Sequence, residues 1–188
     1  YNPMSIIGMA VYSTAENKKD ECLIKTLESL KQTVDFSENI LMLSVNAFTT
    51  TTKDIIEIYS DIIENVIWNN TNIGTAEAIN KVWQHRKQGE HAIKMDDDVV
   101  INSDHDWVQM MEDVINFGDN IGQVGLKRKD CWENPNHENP FYRSTMGKVN
   151  GIITEQCQHV MGTCVMHSDK LLNEVGYLWQ FDHYGFDD

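Results

Sequence analysis

Three consecutive carboxylates, Asp96, Asp97 and Asp98, stand inside the apolar run of residues 93–100. Apolar residues on both sides predict a strand that enters and leaves a core. Adjacent carboxylates repel one another and are costly to bury unpaired, so a positive group must accompany them. Lys94 is the nearby basic residue, and in a strand it would point away from Met95. A hard divalent cation, Mg²⁺ or Mn²⁺, is therefore the sharper interpretation, and an acidic turn is the alternative.

The composition describes a single acidic globular domain over residues 1–188. Hydrophobic residues make up 41% of the 188, which is enough for one sizeable core. The formal net charge is −14, from 29 acidic and 15 basic residues, and it argues against binding to nucleic acid or to anionic lipid. An anionic substrate would therefore need a metal or a local basic group. Since no apolar run reaches the length of a membrane span, we expect no transmembrane segment and a cytoplasmic location; any peripheral membrane association would come through parts outside this chain.

The four cysteines, Cys22, Cys131, Cys157 and Cys164, form no C-x-x-C pair. Together with nearby histidines they fit no common zinc-finger or zinc-ribbon spacing. We therefore expect ordinary reduced cysteines and no structural zinc.

Strand and helix signals alternate through the first hundred residues. Apolar, β-branched runs predict strands at residues 5–12, 39–45, 65–68 and 91–95. Helical spacing of apolar residues predicts helices at 20–32, 53–63 and 75–87, with Thr51 or Thr52 capping the second and Thr75 the third. This order indicates an open, mainly parallel sheet with flanking helices. Ligands bind beyond the carboxyl ends of the strands in such sheets, and the three aspartates end the fourth strand.

The second half continues less regularly. A helix capped by Ser103 or Asp104 is predicted to reach about residue 117, followed by a strand at 121–126. A hairpin is predicted around Gly147, a strand at 160–167, and a helix at 169–175 that is capped by Ser168. The chain stops on two carboxylates after an aromatic-rich loop, which predicts a truncated or partly disordered carboxyl end.

The order of these features resembles the family 2 glycosyltransferases of the GT-A fold, over nearly the whole chain. The resemblance rests on an ordered set of motifs at matching spacings, among them the N-x-G-x-x-x-A-x-N pattern that runs from Asn72 to Asn80 and the D-x-D pattern of the aspartate triplet about twenty residues later. The other matching segments are residues 5–12, 162–166, 171–177 and 185–188. The resemblance implies a Rossmann-like nucleotide-binding half and an acceptor-binding half.

The resemblance also implies an activity, the inverting transfer of a sugar from a nucleotide-diphosphate sugar to an acceptor hydroxyl. The expected donor is a UDP-sugar, and the acceptor a glycan, a lipid-linked molecule or a protein. Asp98 would be the direct ligand of Mn²⁺ or Mg²⁺, and Asp96 would hold the ribose or a metal-bound water. Asp188 would be the general base, with Asp187 as its substitute. The residues implied to line the donor site are Ala10, Tyr12, Asn46, Asn72, Gly74, Asp96 and Asp97.

Some assignments stay open. A solvent-facing or capping role is the favoured interpretation of Asp97, because strand alternation would turn it away from Asp96 and Asp98. His183 contacts a phosphate or the acceptor, or is a surface residue. Trp179, Phe181 and Tyr184 either stack on a sugar ring or pack in a core. Lys127, Arg128 and Arg143 either clamp the diphosphate or form a solvated basic patch, and the solvated patch is favoured.

Two positions depart from the family pattern at the base-binding end. The family commonly carries Asp-Asp-x-Ser after the second strand, whereas this chain has Ser44-Val45-Asn46-Ala47 and so lacks a carboxylate acceptor. The arginine of the family's A-R-N segment is Ile79 here. These departures leave the base unassigned.

Two other functions compete with the transferase. A sugar-phosphate nucleotidyltransferase usually has a glycine-rich loop with Arg and Lys after the first strand, but residues 13–17 read Ser-Thr-Ala-Glu-Asn. A non-catalytic carbohydrate-binding domain of the same fold is the other alternative, and the retained Asp98 and Asp188 argue against it.

Overall fold

The computed structural model describes residues 5–129, 145–157, 160–181 and 184–186 of the chain. The described strands are β1 Ser5–Tyr12, β2 Asn39–Ala47, β3 Ile63–Trp68, β4 Ala92–Asp96, β5 Gln123–Gly125, β6 Thr145–Val149, β7 Ile152–Gln156, β8 Cys164–His167, β9 Trp179–Phe181 and β10 Tyr184–Phe186. The described helices are α1 Asp20–Thr33, α2 Thr50–Ile58, α3 Thr75–Trp83, α4 Trp107–Ile115 and α5 Asp169–Val175.

Six strands form one sheet in the order β3-β2-β1-β4-β8-β5. The neighbours β3, β2, β1 and β4 run parallel, whereas β8 is antiparallel to both β4 and β5. β6 and β7 form a separate antiparallel pair, as do β9 and β10. The expected open, mainly parallel sheet with flanking helices is thus confirmed, with one antiparallel strand inside it.

Helices cover both faces of this sheet, because the central strands are apolar on both sides. Ile7, Met9 and Val11 of β1 share one core cluster with buried residues of α1, α2 and α4. Ile6 of the same strand belongs to the cluster on the opposite face, together with residues of α3 and α5. Helix packing on both faces holds the strands in place, and with them the carboxyl ends of the strands.

Helix α3 packs close to β1 at Gly8. A Cβ at this glycine would lie 3.2 Å from Nε1 of Trp83 and 3.2 Å from Cγ1 of Val82. The Trp83 indole is fully buried, and its Nε1 donates to the Ile93 carbonyl of β4 at 3.3 Å. The approach therefore depends on the missing side chain of Gly8.

The helix starts differ from several predicted caps. Thr49 caps α2 in a reciprocal capping box with Thr52, so the cap is neither Thr51 nor Thr52. Asp106 caps α4 by accepting from the Gln109 amide, so Ser103 and Asp104 are not its caps. In each case the cap lies where the local backbone is extended, which depends on how the preceding loop is folded.

Three more boundaries differ from prediction. α2 ends at Ile58, because the chain turns at residues 59–62 and enters β3 at Ile63, although the isoleucine spacing continues to favour helix. The β6–β7 hairpin turns at Asn150 and Gly151, both with positive φ, whereas Gly147 lies within β6. Thr75 is the first residue of α3 rather than its cap.

Cys22 and Cys164, in the described part of the chain, are free thiols. Complete burial raises the pKa of Cys164 to about 12, so this thiol stays protonated at neutral pH. Within residues 5–129, 145–157, 160–181 and 184–186, no helix is long and apolar enough to span a membrane.

Candidate functional site

The three aspartates lie at the carboxyl end of β4, in the middle of the sheet. β4 pairs with β1 on one side and with β8 on the other, and Asp96 is its last residue. Asp96 stands opposite Ala10 of β1, while Asp97 and Asp98 form the turn that follows. Because the strand ends at Asp96, the expected alternation of Asp96 and Asp98 on one side does not extend through the triplet.

Asp96 is paired with a lysine of its own strand. Nζ of Lys94 lies 3.0 Å from Oδ1 of Asp96 and also donates to the Gly162 carbonyl. Residues two apart in a strand share a face, so Lys94 points to the same side as Asp96. The Lys94 side chain is almost fully buried. Lys94 thus supplies one of the positive charges that the acidic segment needs. The sequence interpretation had favoured a metal ion as the source of that charge.

Asp97 is buried, so the expectation of a solvent-facing side chain is wrong. Its Oδ2 accepts from the backbone amide of Tyr12 at 3.1 Å, and its carbonyl accepts from the Thr26 hydroxyl at 3.1 Å. Burial raises the pKa of the Asp97 carboxyl, although the Tyr12 amide and the Lys19 ammonium oppose that rise. Asp97 therefore joins the end of β1 and the helix α1 to the turn.

Asp98 has the most exposed side chain of the triplet. Its side chain is 42% exposed, and its Oδ2 lies 2.9 Å from Nζ of Lys19, which also reaches Oδ1 of Asp97 at 3.4 Å. Partial burial lowers the pKa of Lys19, but the Asp98 and Asp97 carboxylates outweigh it and hold that pKa above its ordinary value. The sequence gives no sign of this contact, because Lys19 precedes α1 and lies 79 positions away from Asp98.

The donor set of the turn fits a hard divalent cation. Asp98 and Asp96 offer carboxylate oxygens at the strand end, and Mg²⁺ or Mn²⁺ is commonly held by one or two carboxylates with phosphates and waters completing its shell. Among the residues that the structure describes, no group of three or more His, Cys, Asp or Glu side chains could hold a metal by itself. The remaining ligands would therefore come from a phosphate-bearing substrate, from water or from residues beyond those described.

Asn46 holds the loop that precedes α3. Its Nδ2 donates to the Gly74 carbonyl at 3.1 Å, and its Oδ1 accepts from Nδ2 of Asn69 at 3.1 Å and from the Ile73 amide at 3.3 Å. The Asn69 amide also donates to the Ser44 hydroxyl at 3.0 Å. Asn46 is buried, and this network makes it a structural anchor at the end of β2.

The other residues expected near a donor lie on the same edge of the sheet. Gly74 has a φ of 85°, and its amide donates to Oδ1 of Asn72 at 3.0 Å, so these two residues turn the chain into α3. Tyr12, at the end of β1, exposes 43% of its surface, and Ala10 is half-buried beside Asp96. The structure thus brings the ends of β1, β2 and β4 and the start of α3 together.

The carboxyl-terminal segment is attached to α3 through Asn80. The Asn80 amide donates to the Leu178 carbonyl at 2.7 Å and accepts from the Leu178 amide at 3.0 Å. β9 and β10 lie against α3. Asn80, the last asparagine of the N-x-G-x-x-x-A-x-N pattern, therefore attaches to α3 the segment that precedes residues 187–188.

Several predicted site residues lie outside the described part of the chain. They include the expected bases Asp187 and Asp188, as well as His183 and Arg143. Trp179 is 83% exposed, so it does not pack in a core. Lys127 forms an ion pair with Glu155 of β7, which agrees with a solvated patch better than with a free phosphate clamp.

Solved structures with a similar fold are glycosyltransferases. A mannosyltransferase from Pyrobaculum calidifontis, determined with GDP-Man and Mn²⁺, matches 95% of this chain at a TM-score of 0.69 and 16% identity. TarS residues 1–349 from S. aureus, determined with UDP, match 93% at a TM-score of 0.58 and 15% identity. Glucosyl-3-phosphoglycerate synthase from Mycobacterium tuberculosis, determined with UDP, matches 96% at a TM-score of 0.58 and 14% identity.

These likenesses establish the fold, the GT-A type of α/β sheet. The chain spans 48%, 50% and 61% of the three matched chains, so it corresponds to about half of each. No protein-family model matches the chain, and no curated protein matches it in sequence.

Proposed function

We propose that this protein is a metal-dependent glycosyltransferase that uses a nucleotide-diphosphate sugar. The observation that carries the proposal is the exposed Asp98, which follows β4 at its carboxyl end, on the edge of the sheet where the parallel strand β1 also ends. Ligands of open α/β sheets bind at this edge. Proteins of similar fold were determined with GDP-Man and Mn²⁺ or with UDP, which supports the same ligand class here.

In this proposal Asp98 and Asp96 hold Mn²⁺ or Mg²⁺, and the bound ion supplies positive charge to the diphosphate that leaves the donor. Asp97 keeps its buried position and fixes the end of β1 against the turn through the Tyr12 amide. Tyr12, Ala10, Asn72 and Gly74 line the donor cleft. The donor is a UDP-sugar or another nucleotide-sugar, and the acceptor hydroxyl belongs to a glycan, a lipid-linked molecule or a protein.

The acceptor hydroxyl must lose a proton as it attacks the anomeric carbon, and a carboxylate within hydrogen-bond reach can accept it. We assign this role to Asp188, with Asp187 as the substitute, on the basis of the family resemblance. The segment that precedes Asp188 in sequence is held to α3 by the two hydrogen bonds between Asn80 and Leu178. The proposed displacement inverts the anomeric centre.

The test is calorimetric titration with a panel of nucleotide-sugars, with and without Mn²⁺. We expect at least one donor to bind in a metal-dependent way and Asp98→Ala to abolish that dependence. Asp54→Ala is the matched control, because Asp54 is an exposed carboxylate on α2. Absence of binding for every nucleotide-sugar, in both conditions, would refute the proposed function.

A second measurement separates binding from chemistry. Asp188→Asn should bind the donor as the unchanged protein does and lose sugar transfer and donor hydrolysis. Retained transfer in Asp188→Asn, together with loss in Asp187→Asn, would move the base to Asp187.

A further inference from the structure

Two exposed aromatic rings meet at the ends of neighbouring strands. Phe48 follows the last residue of β2, and Trp68 is the last residue of β3. Their ring centroids are 4.9 Å apart and their planes make an angle of 79°, which is an edge-to-face pair. Phe48 is 41% exposed and Trp68 is 43% exposed. The pair is thus an ordered aromatic surface that the core does not use.

Lys53 lies over both rings. Its Nζ is 4.6 Å from the centroid of Phe48 and 5.7 Å from that of Trp68. In the part of the chain that the structure describes, no carboxylate forms an ion pair with this lysine, although acids outnumber bases 29 to 15. The aromatic contact therefore holds the Lys53 ammonium group at the strand ends, where no carboxylate of the described residues neutralises its charge.

This surface lies on the same edge of the sheet as the acidic turn. β2 is separated from β4 by β1 alone, so the ends of β2 and β4 are about 10 Å apart at the usual spacing between strands. That separation is comparable to the span from a diphosphate across a ribose to a base. A nucleotide with its diphosphate at Asp98 can therefore place its base near Phe48.

The carbonyl oxygen of Asn46, a residue expected to line the donor site, is already occupied. Its Oδ1 accepts from Asn69 and from the Ile73 amide, so both lone pairs are used, and its Nδ2 donates to Gly74. No acceptor of Asn46 remains for the N–H of a base edge. Asn46 therefore does not distinguish bases by accepting from them, and an acceptor for a base N–H would have to come from another residue at this edge.

We propose that Phe48 and Trp68 form the stacking surface for the base and that Lys53 selects bases with a keto group. This inference rests on the proposed function. Stacking on an aromatic ring is open to every base, because every base has a π-face. Lysine is a donor only, so it favours the O4 acceptor of uracil and the O6 acceptor of guanine over the amino groups of cytosine and adenine.

The test is the binding of UDP, GDP, CDP and ADP in the presence of Mn²⁺ to the unchanged protein and to single variants, measured by calorimetry. Phe48→Leu and Trp68→Leu keep an apolar side chain but remove the ring, and each should weaken binding of all four nucleotides by about tenfold. Phe48→Tyr, which keeps an aromatic ring, should bind the nucleotides as the unchanged protein does. Phe117→Leu is the matched control, since Phe117 is an exposed ring on the turn after α4.

Lys53→Met should remove the preference for UDP and GDP over CDP and ADP and leave CDP and ADP binding nearly unchanged. Lys25→Met, which replaces an exposed lysine of α1, is its control.

Unchanged affinities in both ring variants would overturn the stacking surface and leave the proposed function intact. A keto preference that survives Lys53→Met would overturn the role of the lysine. Failure of the unchanged protein to bind any nucleotide or nucleotide-sugar, with or without Mn²⁺, would refute the proposed function itself.

Discussion

The ammonium group of Lys19 lies 2.9 Å from Oδ2 of Asp98. A metal ion that binds Asp98 through this oxygen would have to displace the ammonium group. Both side chains are more than a third exposed, so solvent screening limits this ion pair to about 0.2–1 kcal/mol. A divalent ion can therefore displace Lys19 at a small cost. The lysine offsets part of the negative charge of the acidic turn when no metal is bound.

Replacing Lys19 with methionine should strengthen Mn²⁺ binding by up to about fivefold, which corresponds to about 1 kcal/mol. The physical reason is that the metal no longer competes with an ammonium group for Asp98. The same variant should be less stable without metal by about 1 kcal/mol, because the buried Asp97 loses its 3.4 Å partner. Mn²⁺ titration followed by electron paramagnetic resonance measures the first effect, and urea unfolding measures the second.

Lys25→Met serves as control for both measurements and should change neither. Weaker Mn²⁺ binding in Lys19→Met would contradict a displaced counter-ion. A lower affinity for UDP with unchanged Mn²⁺ affinity would instead show that Lys19 contacts the diphosphate.

Introducing a carboxylate at Asn46 should destabilise the protein rather than restore the family pattern. Asn46→Asp removes the donor to the Gly74 carbonyl and faces that carbonyl with a negative charge. We expect the free energy of unfolding to fall by about 2–3 kcal/mol. Urea denaturation checks this, with Asn65→Asp on the exposed part of β3 as control. Equal stability of Asn46→Asp and the unchanged protein would show that the amide network is dispensable.

Acidification should weaken the fold through His91. Its Nδ1 accepts from the Asp169 amide at 3.1 Å and its Nε2 pairs with Oδ1 of Asn116 at 3.2 Å. Burial lowers the pKa of His91 below its ordinary 6.5; the Asn116 contact and the Asp169 carboxylate oppose this shift, and the Arg86 cation adds to it. The unfolded chain then binds the proton more readily than the folded one. The stability contribution is therefore complete above about pH 6.5 and is lost as the pH falls through the folded pKa.

The loss should have a slope of up to about 1.4 kcal/mol per pH unit within that window. His91→Asn, whose side-chain oxygen can replace Nδ1 as acceptor, should remove this component, whereas His85→Asn at an exposed position should leave it. Urea unfolding at a series of pH values between 7 and 5 provides the comparison. Parallel pH profiles for His91→Asn and the unchanged protein would assign the acid sensitivity to other groups.

Removing the Asn80 side chain should release the carboxyl-terminal segment from α3. Both of its bonds to Leu178 are lost in Asn80→Ala, and we expect a cost of about 2 kcal/mol together with faster hydrogen exchange at the Leu178 amide. Gln84→Ala, at the exposed end of α3, should leave that exchange unchanged. If Asp188 is the base, Asn80→Ala should also lower transfer more than it lowers donor binding.

Local signals were enough to predict much of the fold. β1 was predicted at its observed bounds from its apolar run, and α5 was predicted with its Ser168 cap and its end at residue 175. The alternation of strands and helices likewise predicted the parallel sheet and the position of the aspartates at a strand end. Such features depend on neighbours in sequence and on hydrophobic period, and both can be read from a single chain.

The start of α2 shows where local signals run out. Four consecutive threonines offer four possible caps, and the cap is Thr49; its hydroxyl donates to Asp20 of α1 at 2.9 Å, while the Thr52 hydroxyl donates to the same carboxylate at 2.6 Å. The end of α2 was missed for a related reason, since the same isoleucine run suits both a helix and the buried start of β3. A tertiary contact decides between local structures that are nearly equal in free energy.

The acidic triplet shows the same division within the site. Composition alone required a positive group beside Asp96, Asp97 and Asp98, and the strand pattern put all three at the edge where ligands bind. The tertiary structure decided how exposed each of them is and which groups contact them. Tyr12 reaches the turn from β1, Thr26 from α1, and Lys19 from the loop between these two elements. These contacts join residues more than seventy positions apart, and their formation depends on the packing of whole elements rather than on any local pattern.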